Sequence, residues 1–127
     1  MDILLDTHIF IWFLNGDEQL SYSNRKLIED DSNNFFLSIA SIWEIAIKHS
    51  LQKLELKGNF SQIYVFLTEN DIEVLPITFE HIQHLLNLEG HHRDPFDRMI
   101  IAQAKSEQLK IVTKDRIFMK YDVEVIS

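Results

Sequence analysis

Short β-prone runs alternate with helical stretches along this chain, and that alternation constrains its fold more than any other feature. Ile3-Leu4-Leu5 is a continuous apolar run inside Asp2–Asp6, the signature of a strand buried on both faces. Phe35–Ser38, Ile72–Leu75 (stopped by Pro76) and Lys110–Thr113 read as three more strands, and Val123–Ile126 as a fifth. Helical stretches fall between them: Thr7–Leu14, ended by Asn15-Gly16; Ser21–Asp31; Ile39–Leu51; Phe60–Glu69; and Thr78–Leu88, with Thr78 as N-cap. The last helix, Asp94–Gln108, has Asp94 as N-cap and Pro95 in its first turn. Strands that alternate with helices pair in parallel, because each crossover helix carries the chain back to the same edge. The expectation is an α/β fold: a central parallel sheet of four to five strands, flanked by helices on both faces. Residues 1–127 make one domain of ordinary size.

Composition narrows the chemistry. With 46% hydrophobic and 25% charged residues and only three Gly and two Pro, the chain is a globular domain and not a disordered or collagen-like one. It has no cysteine, so disulfides, zinc–thiolate sites and thiol nucleophiles are excluded. That, with a start lacking the basic and long apolar segments of a signal peptide and no apolar run near ~20 residues, fits a cytoplasmic protein without a membrane span. The net charge of −8 argues against nucleic-acid binding through the whole surface. Its distribution is uneven, however: His91–Lys120 carries +3 and the remainder −11. A local basic surface on an acidic protein follows.

Four carboxylates stand where stability alone would not choose them. Asp6 ends the first strand and Asp115 follows the fourth by two residues. Ligands of open α/β sheets sit beyond the carboxyl ends of strands, where both acids fall. Each has an ordinary alternative as a helix N-cap. Glu44 lies on the most apolar helix, on one side with Ala40, Ile47 and Leu51; its alternative is an exposed pair with Lys48. Asp97 shares an arc with Ile100, Ile101 and Ala104, and its alternative is a favourable interaction with the start of its own helix. Asp94 is its rival for an active role. Two carboxylates ~4 Å apart repel by about 4 kcal/mol at an effective dielectric of ~20, so a cluster of them calls for a cation or raised pKa values. Hard cations such as Mg2+ and Mn2+ take such oxygen donors.

Other residues read more plainly. His91-His92 could be metal ligands, but with no H-x-x-x-H pair and no cysteine to support zinc they read rather as an exposed loop. His8 and His49 read as surface or helix-packing residues, and Met99, Trp12 and Trp43 as core rather than a base-stacking platform. Neither a phosphate-binding glycine loop nor the G-x-S-x-G of a serine hydrolase is present.

Leu4-Leu5-Asp6-Thr7-His8 with Trp12, then Ser41-Ile42-Trp43-Glu44-Ile45-Ala46-Ile47-Lys48, then His92-Arg93-Asp94-Pro95-Phe96-Asp97-Arg98-Met99-Ile100-Ile101-Ala102-Gln103-Ala104, then Val112-Thr113-Lys114-Asp115 occur in that order. This series resembles the PIN-domain ribonucleases, specifically the VapC-like toxins of type II toxin–antitoxin modules, from Leu4 to Tyr121. The resemblance implies a metal-dependent endoribonuclease with Mg2+ or Mn2+ at an acidic cluster. It implies Asp6 and Asp97 as metal ligands and Glu44 and Asp115 as further catalytic acids, with Thr113 placed to orient Asp115. It also implies a cognate antitoxin that supplies the DNA-binding half of the complex, and a homodimer. Arg93, Arg98, Lys114 and Arg116 flank the acids and could hold RNA phosphates; their alternative is a solvated basic rim. Two other classes remain. A phospho-accepting receiver domain would need an acid pair at the first strand end, where Thr7 follows Asp6, and an Asp at the second, where Ser38 stands. A catalytically idle interaction module would not need all four acids.

Overall fold

In the computed structural model, which describes residues 1–127, Ile3, Leu4 and Leu5 are wholly buried on strand β1 (Asp2–Leu5). They are buried because they face two separate cores. Ile3 and Leu5 point into one, and Leu4 points into the other. Helices α1 (Thr7–Asn15), α2 (Tyr22–Glu29), α3 (Ile39–Ser50) and α4 (Gln62–Glu69) supply Ile9, Phe10, Ile28, Ile45, Ile63 and Leu67 to the first core. The second is built from α6 (Pro95–Glu107), with Ile100, Ile101 and Ala104, and from Ile111, Phe118 and Tyr121. Helix α5 (Phe79–Leu86) lies against α6, joined to it by His81 and Glu107.

The other strands are β2 (Asn34–Ser38), β3 (Ile72–Leu75), β4 (Lys110–Val112) and β5 (Val125–Ile126). All pair in parallel, in the order β3-β2-β1-β4-β5. The expected sheet, with helices on both faces, is therefore present. Its order adds a consequence. The chain builds outward from β1 through β2 to β3, then crosses back to lay β4 on the other side of β1. That reversal opens a crevice at the carboxyl ends of β1 and β4, the place where open α/β sheets bind ligands. The register sets Leu5 beside Val112, and the Asp6 amide donates to the Val112 carbonyl at 3.1 Å. Asp6 and Thr113 are thereby held side by side across the crevice.

Local signals fix the element ends. Gly16 takes the left-handed conformation (φ 62°) that stops α1, and Thr78 caps α5. Asp94 Oδ1 accepts from the amides of Phe96 (2.8 Å) and Asp97 (3.2 Å), so the cap expected there is made. Arg116–Lys120 forms a short 3-10 turn after β4. No helix is long and apolar enough to cross a membrane.

Candidate active site

The crevice is lined by carboxylates from four separate elements. Asp6 follows β1 and occupies the N-cap position of α1, but its side chain makes no cap hydrogen bond. The capping alternative is thus excluded for it. Instead Oδ2 accepts from Thr113 Oγ1 at 2.8 Å, while Oδ1 is buried without a partner. Burial raises the Asp6 pKa, and this outweighs the lowering by Thr113 and by the nearby charge of His8.

Thr113 also accepts from the Asp115 amide at 3.0 Å, which fixes the turn carrying that acid. Asp115 does two things. Its Oδ1 caps the 3-10 turn by accepting from the Ile117 amide, and its Oδ2 lies 3.2 Å from His92 Nε2. Here the capping alternative is correct and leaves one oxygen for the crevice.

Glu44 reaches the site from α3, which is tied to the start of α1 by a buried 2.8 Å hydrogen bond between Thr7 and Ser41. The ion pair with Lys48 exists at 2.7 Å, but Glu44 is not on a solvated face: its side chain is only 4% exposed. Oε2 accepts from Lys48, and Oε1 is buried and unpartnered. That hydrogen bond is the main cause holding the Lys48 ammonium above its ordinary pKa.

Asp97 comes from the first turn of α6, with its side chain 18% exposed. Its carboxyl is pushed up to about 7, first by burial and then by the negative charges of Asp6, Asp94, Glu44 and Asp115. The charges of Asp6, Asp94, Glu44 and Asp115 thus all act on Asp97, which places the four acids expected from the sequence, with Asp94, around one crevice.

Two expectations need correction, and the basic residues divide. His92 is not in an exposed loop. Its ring stacks on Tyr121 (5.5 Å between centroids), meets the edge of Phe118 (5.0 Å), and its amide donates to Tyr121 Oη at 2.7 Å. Its neighbour His91 does remain largely outside. Trp43 is 60% exposed and is not core; it stands edge-on to Phe96 (5.2 Å) at the junction of α3 and α6. Among the basic residues, Arg93, Lys114 and Arg116 are exposed, whereas Arg98 donates to the carbonyls of Glu89 (2.9 Å) and His92 (3.4 Å) and so holds their loop.

The donor set fits a divalent cation. Buried carboxylate oxygens on Asp6 and Glu44 lack any partner, and Lys48 is the one cation bonded to the cluster. His92, Asp97 and Asp115 form one group, with one ligand-competent atom from each lying within 4.8 Å of the others. Asp6 joins this group through Thr113 and Asp115.

Fold and site together define a small α/β domain with an acidic cleft at its topological switch point. The model of the PIN domain matches residues 3–124, and the chain belongs to that family. Curated protein sequences include no match to it. Among solved structures, the fold is similar to VapBC2 from Rickettsia felis bound to a DNA fragment from their promoter. The TM-score is 0.75 at 19% identity, covering 99% of this chain and 98% of that one. FitAcB from Neisseria gonorrhoeae gives a TM-score of 0.69 at 22% identity over 98% and 96%. VapBC-1 from nontypeable Haemophilus influenzae gives 0.65 at 19% identity over 100% and 98%.

Proposed function

We propose that the protein is a divalent-metal-dependent endoribonuclease and the toxin of a type II toxin–antitoxin pair. The observation that carries this reading is the gathering of Asp6, Glu44, Asp97 and Asp115 at the crevice, where burial first and the neighbouring charges second push Asp97 to about 7. Acids so placed destabilise one another unless a cation joins them, and PIN domains are in general divalent-metal-dependent nucleases.

In this reading Asp6 and Asp97 hold Mg2+ or Mn2+, with Glu44 and Asp115 completing the acidic set. A cation held there would lower the pKa of water and offset charge on a phosphate. Lys48 fixes Glu44 and balances part of its charge. Thr113 fixes Asp6 and the Asp115 turn together, so neither acid must reorganise when RNA arrives. Exposed Arg93, Lys114 and Arg116 hold neighbouring phosphates, and Arg98 shapes the rim through the Glu89–His92 loop. The water oxygen bonds to phosphorus as the P–O3′ bond breaks, and the proton ends on O3′. The products are a 3′-hydroxyl and a 5′-phosphate.

The similar VapBC and FitAB structures are of complexes, two of them with DNA. They support an antitoxin partner that carries the DNA contact, in line with a net charge of −8 on this chain. An apolar groove between α3 and α4, lined by Ile39, Ile42, Phe60, Ile63 and Tyr64, is a surface that a helix of such a partner would cover. A homodimer is the proposed toxin assembly.

The test is cleavage of total RNA with Mn2+ or Mg2+ by wild type, Asp6→Asn and Asp97→Asn. Each variant is expected to lose at least ~100-fold in rate while keeping its circular dichroism. Undiminished cleavage by folded Asp97→Asn would overturn the metal assignment. A wild type that neither cleaves nor binds Mn2+ would make the protein an idle interaction module.

A further inference from the structure

His92 is the buried group at this crevice that the four-acid mechanism does not use. Its side chain is 6% exposed and enclosed by Tyr121 and Phe118, so it cannot turn away to water. Its amide is pinned by Tyr121 Oη, and its carbonyl accepts from Arg98. Ring and backbone are thus held from both ends. Nδ1 is buried without a partner, and Nε2 points between two carboxylates, 3.2 Å from Asp115 Oδ2 and 3.9 Å from Asp97 Oδ2. Donors bound to a single ion at ~2.1 Å stand about 3.0 Å apart when adjacent and about 4.2 Å apart when opposite. The 3.2 Å contact is also a direct hydrogen bond, and both separations are short enough for the three side chains to share one ion.

The geometry points to His92 as a nitrogen ligand of the cation in this cleft, acting with Asp97 and Asp115 to select Mn2+ over Mg2+. The inference rests on the reading of the cleft as a divalent-cation site and adds a ligand of a different kind. Imidazole suits transition metals, whereas Mg2+ prefers oxygen donors and keeps its waters. In this role the ring would offer its Nε2 lone pair to the ion.

The experiment is pulsed electron paramagnetic resonance on the untagged protein loaded with Mn2+ alone, with parallel titrations of Mn2+ and Mg2+. A 14N coupling to Mn2+ is expected, replaced by a 15N coupling when histidine is 15N-labelled. It should vanish in His92→Asn and survive in His8→Asn, the histidine whose charge acts on Asp6. His92→Asn should weaken Mn2+ binding roughly tenfold or more and leave Mg2+ binding within about threefold. Mn2+ bound with no nitrogen coupling, or a coupling lost only with His8→Asn, would overturn the inference. Equal weakening of both cations would do so as well. If His92→Asn does not fold, the labelled wild type and His8→Asn still decide. RNA cleavage separates the two claims: cleavage abolished by Asp97→Asn without nitrogen coupling sinks the ligand and keeps the nuclease. Nitrogen coupling without cleavage does the reverse.

Discussion

Thr113 is the residue on which the crevice geometry turns, because one hydroxyl donates to Asp6 and accepts from the Asp115 amide. Thr113→Val keeps the shape and removes both bonds, leaving a buried carboxylate oxygen unmet at a cost of about 1–3 kcal/mol. Lower urea stability together with weakened Mn2+ binding is the expected outcome; a loss of stability alone would make Thr113 merely structural. Asp97 gives a prediction with a sign. Its carboxyl sits at about 7 when folded against 3.8 for an ordinary aspartate. Between those values the folded state binds more protons than the unfolded one, so rising pH removes stability across that interval. In EDTA, wild type should therefore lose stability from pH 5 to 7.5, and Asp97→Asn should flatten that decline. Mn2+ should restore about 2.7 kcal/mol to wild type at a hundredfold excess over its dissociation constant, and far less to the variant. Thermal melts at the two pH values check both. The acids were readable in sequence because a charge at a strand end or on an apolar arc conflicts with its surroundings. His92 was not, since Tyr121, which covers it, lies 29 residues downstream. Trp43 was misread because its size suggests burial, while its place at the α3–α6 junction leaves it open.

Helix α6 separates two roles within three residues. Asp94 satisfies amides at the helix start, and Asp97, one turn on, faces the crevice. Asp94→Ala should cost about 1 kcal/mol in urea unfolding with cleavage retained, and Asp94→Asn, which still caps, much less. Loss of cleavage in Asp94→Asn would reverse the two assignments. Elements themselves were legible wherever local chemistry announces them: the apolar run of β1, Gly16 after α1, Thr78 before α5, Pro95 at the start of α6. The 3-10 turn at Arg116–Lys120 was visible only as the capping alternative for Asp115, because a turn so short has no period to read. The strand order was not legible, since it depends on where the returning chain finds an unpaired edge, and both sides of β1 offer one.

For the whole molecule, a net charge of −8 beside an exposed basic rim means that the proposed RNA substrate would be held locally. Arg93, Lys114 and Arg116, if each holds one phosphate, contribute about 0.7 apiece to the salt slope of single-strand binding. A triple change to Gln should lower the slope of log affinity against log salt by about 2, measured with a catalytically inactive Asp97→Asn background. An unchanged slope would place the RNA elsewhere. The same topology has a consequence in time. Asp6 and Thr113 touch, yet 107 residues separate them along the chain. At ~5–20 residues per second, synthesis delivers the second about 5–20 s after the first. Until β4 arrives, β1 has an open edge and Asp6 has no hydroxyl beside it. A nascent chain halted before Lys110 therefore carries the residues of α1–α6 but no crevice, and the acidic cleft is complete only once β4 and the turn after it are laid down.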